Sequence, residues 1–132
     1  MTAEHTVGNP TIELVLPIDT SFVSLLRQVA GAAAAHSDLT IDLLEDTKIA
    51  CSEAAVLLIS HAAHNSSYSW RWYCTDKRVK VVASVPTSLV ELPDFSAMEG
   101  FTWTVLSAVA KDLAANLAEG RLIITFSIFE MQ

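Results

Sequence analysis

The stretch Tyr68-Ser69-Trp70-Arg71-Trp72-Tyr73-Cys74-Thr75-Asp76-Lys77-Arg78-Val79-Lys80-Val81-Val82-Ala83-Ser84-Val85 decides the fold class. Its first half alternates. Tyr68, Trp70, Trp72 and Cys74 fall on one side, and Ser69, Arg71, Tyr73 and Thr75 on the other. A period of two sets one face against a core and the other toward water, which marks an antiparallel strand. Asp76-Lys77 makes a tight turn. Arg78 to Val85 returns as the hairpin partner, and its more uniformly apolar makeup suits a central strand.

Upstream, Ile12 to Leu16 reads as a strand ended by Pro17. Asp19 or Thr20 can cap the helix that follows by accepting a hydrogen bond from its free N–H groups. That helix mixes Phe22, Val23, Leu26 and Val29 with Ser24, Arg27 and Gln28, and fades into Gly31 and an alanine run ending at His36. Thr40 caps a second helix reaching about His64, with Asp42, Glu45 and Asp46 near the positive end of its dipole. Leu44, Thr47, Cys51, Ala55, Leu58 and Ala62 recur at three- and four-residue steps and make a core stripe, while Ile49, Glu53 and Leu57 take another face.

Downstream, Pro86 to Glu99 is irregular, and Gly100 leads into a third helix ending near Lys111. Leu113 to Ala118 fits either an extension of that helix or a strand. Glu119-Gly120 is too short to join anything but antiparallel neighbours, and Arg121 to Phe129 is the last strand. The order β-α-α-β-β-loop-α-(β)-β predicts an α+β two-layer sandwich: a mixed, mainly antiparallel sheet with helices on one face.

A length of 132 residues suits one domain, with residues 1–10 expected to be a flexible N-terminus. The net charge of −7 repels phosphate backbones and argues against direct nucleic-acid binding. No apolar run reaches membrane-spanning length, and Met1 to Pro10 lacks the apolar core of a signal peptide. Cys51 and Cys74 sit in apolar contexts without metal-ligand spacing, so two buried thiols and a reducing cytoplasm are expected. His61 and His64 lie three apart with no third ligand spaced to join them, so no metal is expected. No GxSxG elbow supports nucleophilic hydrolysis. A hydrophobic content of 52% is high for a small acidic domain and points to an oligomer or a partner surface.

The element order resembles the Bergerat fold of histidine-kinase-like ATPases. Within it, Glu45-Asp46-Thr47-Lys48-Ile49-Ala50-Cys51-Ser52-Glu53-Ala54 is similar to a signature helix of the RsbW/SpoIIAB family of anti-sigma factors, and the likeness continues to His61-Ala62. Leu16-Pro17 through Arg27 resembles that family's first strand and helix. Gly100-Phe101-Thr102-Trp103-Thr104-Val105-Leu106 and Ala83-Ser84 resemble its degenerate, UsfX-type members.

The resemblance implies a nucleotide site that has lost its ligands. The family's magnesium-ligating asparagine falls at Leu57, which offers no oxygen to a hard cation. Its adenine-reading aspartate falls at Ser84, and the glycine two residues on falls at Pro86. Of the glycine-rich phosphate turn only Gly100 is left, with Phe101 and Trp103 standing where backbone N–H groups would approach phosphate. Those two rings are expected to fill the phosphate space or bar approach to it, with Trp103 largely buried there. Glu53 keeps the catalytic-base position, but phosphoryl transfer rests on positioning and charge stabilisation.

The resemblance therefore implies an anti-sigma factor that sequesters a sigma factor and is released by a STAS-type anti-anti-sigma protein, with no cofactor and as a homodimer. An alternative is an active serine/threonine kinase using ATP and magnesium. A third reading is a dimeric regulator holding another small ligand in the old pocket. Ser24, Arg27 and Gln28 match the family's partner-binding face. Leu89, Val90, Leu92, Phe95 and Met98 fall in its mobile lid, either folded onto the vacated pocket or forming a partner patch.

Overall fold

A computed structural model describes residues 8–130. Ten elements follow along the chain: β1 (Ile12–Pro17), a 3-10 turn (Thr20–Phe22), α1 (Val23–His36), α2 (Ile41–Ser60), β2 (Ser67–Thr75), β3 (Arg78–Pro86), α3 (Phe95–Met98), α4 (Gly100–Val109), β4 (Lys111–Ala118) and β5 (Arg121–Phe129). The strands form one sheet in the order β1-β2-β3-β5-β4, so β3 is central. All four pairings are antiparallel. The α+β sandwich is as expected, with its sheet at the fully antiparallel limit. Of the N-terminal segment 1–10, residues 1–7 lie outside the described residues, and Gly8 to Pro10 form no regular element.

The inner face of the sheet is apolar at every second position. Tyr68, Trp70 and Trp72 on β2 are fully buried, as are Val79, Val81, Ala83 and Val85 on β3. Trp70 stacks on Trp72 at 5.9 Å and meets Tyr68 edge-on at 5.5 Å. Above these rings the helices are made small: Ala30, Ala33 and Ala34 on α1, and Ala50, Ala54 and Ala55 on α2, all fully buried. Bulky residues on one layer against alanines on the other let the layers close without voids. The inward half of the alanine run is therefore core, with Ala32 and Ala35 exposed, and α1 continues through Gly31 to His36 rather than fading. At Gly31 a Cβ would stand 3.0 Å from the Lys48 Cε, so a glycine lets α1 and α2 approach there.

The caps fall where the sequence puts them. The Asp19 side chain accepts from the Ser21 N–H and the Thr40 side chain from the Leu43 N–H. Two boundaries differ. Helix α2 stops at Ser60, short of His64, because the Ala63 N–H donates to the Pro86 carbonyl at 2.7 Å and turns the chain. Leu113 to Ala118 is strand, part of β4, which pairs with β5 through a Glu119-Gly120 turn with φ of 53° and 75°. Positive φ at both central residues is the hairpin turn whose twist suits antiparallel strands. Neither cysteine is in a disulfide; Cys51 is buried and Cys74 only partly so.

Candidate functional site

The site implied by the family resemblance is built on α2. Glu53 and Leu57 lie one turn apart. Glu53 is partly exposed, whereas Leu57 is fully buried in the core. Helix α4 packs across α2 and contributes the fully buried Leu106. Between them the segment from Pro86 to Glu99 is fastened to the end of α2. The Thr87 hydroxyl donates to the His61 carbonyl at 2.6 Å. The His61 Nε2 and the Glu99 Oε1 are 2.5 Å apart, with both side chains largely buried.

An aromatic layer completes this closure. Phe95, 5% exposed, stacks on Trp103 at 5.2 Å and takes the His61 ring edge-on at 5.8 Å. Asp94 caps α3 by accepting from the Ala97 N–H, and its carboxyl is held below the ordinary range, chiefly by the Ser96 hydroxyl. The lid segment thus has two sides. Phe95 and Leu89 turn inward onto the core, while Val90, Leu92 and Met98 are exposed.

Several expected site residues fall elsewhere. Phe101 is 82% exposed and fills nothing; it points out of the first turn of α4. Trp103 is only partly buried, held by its stack on Phe95 rather than enclosed. Ser84 is not gathered with Glu53 and Leu57. Because β3 stays regular through Pro86, Ser84 lies between the inward Ala83 and Val85 and faces the other side of the sheet. There its Oγ accepts from the Arg121 Nε at 3.1 Å. The parity was available in the sequence: counting by twos from Val79 sends Ser84 outward. Pro86 and Gly100 lie at the two ends of the lid segment.

The part of His61 was missed by sequence reasoning, which weighed it as a metal ligand beside His64 and as the end of the family likeness on the second helix. His64 is exposed beyond α2, and among the described residues no cluster of three His, Cys, Asp or Glu could hold a metal. Ser24, Arg27 and Gln28 are exposed on α1. Arg27 also reaches α2, where its Nη1 donates to the Ser52 Oγ at 3.4 Å. No helix of the described residues is long and apolar enough to cross a membrane.

No family model matches the chain. It is similar to the serine-protein kinase RsbW of Staphylococcus epidermidis, at 35% identity over 77 residues, 55% of this chain and 48% of that protein. It is also similar to the anti-sigma-F factor RsbW of Mycobacterium tuberculosis, at 27% identity over 106 residues, 80% of this chain and 61% of that protein. The chain thus spans about half the length of the curated relatives it matches first. Together with the α+β sandwich, these likenesses make the chain similar to RsbW proteins, one named as a serine-protein kinase and the other as an anti-sigma-F factor.

Proposed function

We propose that this chain is a partner-switching anti-sigma factor whose nucleotide site no longer supports phosphoryl transfer. It binds a sigma factor, is released by a STAS-type anti-anti-sigma protein, and works in the cytoplasm as a homodimer in stress-responsive transcription. The observation that carries the loss of catalysis is Leu57. It occupies the implied magnesium-ligand position and is fully buried, with no donor or acceptor to offer a cation. The closure of His61 on Glu99, with Phe95 stacked on Trp103, supports the same reading, since it sets aromatic rings beside α2 where a nucleotide would need polar groups. The homodimer is supported by the apolar content of 52% and by exposed apolar side chains such as Val15 and Leu25.

The kinase alternative draws on Glu53, which is partly exposed, and on the name of the staphylococcal relative. Isothermal titration with ATP and magnesium separates the two. The expected result is no heat of binding at millimolar nucleotide. Magnesium-dependent binding of micromolar strength restores the kinase reading, and magnesium-independent binding of a nucleotide favours a regulator that keeps another ligand in the old pocket. Capture from cells of the source organism, scored for an RNA polymerase sigma subunit, tests the partner directly.

A further inference from the structure

We infer that the outer face of the sheet is a docking surface for an acidic segment of a protein partner. All the helices that pack on the sheet bury its inner face, so the outward rows of β2, β3 and β5 are partly buried or exposed except at the buried Ser127, and no described helix or strand lies over them. A concavity of about 820 Å³ opens there, lined in part by Ser69, Arg71, Tyr73, Ser84, Arg121 and Thr125.

The charge on this face runs against that of the molecule. Strand register sets Arg71, Arg78, Lys80, Lys111 and Arg121 on the outer rows, five of the chain's eight basic residues. Among the described residues, three carboxylates stand with them: Glu13 beside Arg71, Asp112 beside Arg78, and Glu119 at the rim of the concavity. A locally basic face on a chain of net charge −7 is an arrangement that steers an anion to one place and repels it elsewhere. The guanidinium of Arg121 is already oriented, because its Nε donates to the Ser84 Oγ. Its two terminal nitrogens suit the forked hydrogen bonding that carboxylates accept.

The apolar side chains Val82 and Ile123 line the same concavity, so the occupant needs apolar groups between its carboxylates. That favours a peptide segment over nucleic acid, whose dense charge calls for a more strongly basic site. A second copy packed face to face opposes two surfaces of the same sign. This inference stands apart from the sigma-factor reading, since α1 lies in the opposite layer.

The test uses the full chain and a fluorescein-labelled peptide alternating glutamate with leucine, titrated at low salt by anisotropy. The wild type is expected to bind it, and the Arg71→Gln/Arg121→Gln double variant to bind at least about tenfold more weakly. Lys48→Gln, which removes one cation from the helix layer, is expected to leave this binding nearly unchanged. Should the double variant fail to show a wild-type melting profile, Arg71→Gln alone serves, because its side chain is half exposed. The inference is overturned by absence of peptide binding to the wild type, by equal displacement with inorganic phosphate or an oligothymidylate, or by a change in sedimentation of the double variant, which makes the face a self-interface.

Discussion

Leu57 and Glu53 stand one turn apart on α2, and the difference in their burial decides what the helix can do. Glu53 keeps contact with solvent, while Leu57 is enclosed by core. Under the proposed function, an asparagine placed at position 57 is not expected to supply a metal ligand. In Leu57→Asn the amide donors and acceptor are stranded in an apolar core, and a large apolar group is lost from it. The expected loss is about 2–5 kcal/mol of stability, the scale for truncating a buried leucine and stranding a polar group. Denaturant unfolding measures it, and titration with ATP and magnesium is expected to remain blank. A stable Leu57→Asn protein that binds nucleotide would show that the pocket is intact apart from one side chain. Cys51, on the same helix, is as deeply set. Burial pushes its thiol up to about 12, the nearby Trp72 indole pulling slightly the other way. It is therefore a packing residue with little thiolate to react near neutral pH.

Among the elements, the lid segment is held by individual contacts rather than by sheet pairing, the stack of Phe95 on Trp103 among them. It is tied by Thr87 to the His61 carbonyl and by the His61 side chain to Glu99. Glu99→Gln weakens the second tie, and local opening of residues 87–99 is expected to become easier by about 1–3 kcal/mol, the range for a hydrogen bond to a charged group. Hydrogen exchange restricted to that segment, with global unfolding little changed, is the expected pattern; uniform loss of protection would place the tie in the core instead. Acid acts on the same segment through Asp94. Its folded carboxyl is held below the ordinary value, so its stabilisation of α3 is present above the ordinary carboxylate range and is lost as pH falls through the lowered one. Trp103, stacked on Phe95, reports it. An acid transition in Trp103 fluorescence is expected below the usual carboxylate range and is expected to be absent in Asp94→Asn. The elements were legible where pattern and propensity agree: the β2–β3 hairpin, the Thr40 cap and the central place of β3 follow from alternation and turn chemistry. β4 was not, because Leu113-Ala114-Ala115-Asn116-Leu117-Ala118 is made mostly of good helix formers, and only pairing with β5 makes it a strand. The outward turns of Phe101 and Ser84 were also not read. Both depend on whether an element stays regular one residue further, which the family pattern alone does not fix.

For the molecule as a whole, the sandwich leaves two unlike surfaces, a helix layer on which α1 presents Ser24, Arg27 and Gln28, and the locally basic outer sheet. Under the proposed function the α1 face carries both partners, so one substitution there ought to disturb both complexes. Arg27 is the informative site. Its bond to Ser52 is long, at 3.4 Å, and the residue is exposed, so it contributes little to holding α1 on α2. Arg27→Glu should then leave the melting temperature nearly unchanged. Reversal of a charge that pairs with a partner carboxylate is expected to weaken binding by about 1–3 kcal/mol for the sigma factor and for the anti-anti-sigma protein alike. Parallel losses measured by titration are the signature of a shared face, since release by competition requires the two partners to contend for the same groups. A loss for one partner only separates the two interfaces. Normal binding of both moves the search to the exposed side of the lid, where Val90 and Met98 are 95% and 65% exposed and offer an apolar contact that a charge change on α1 leaves untouched.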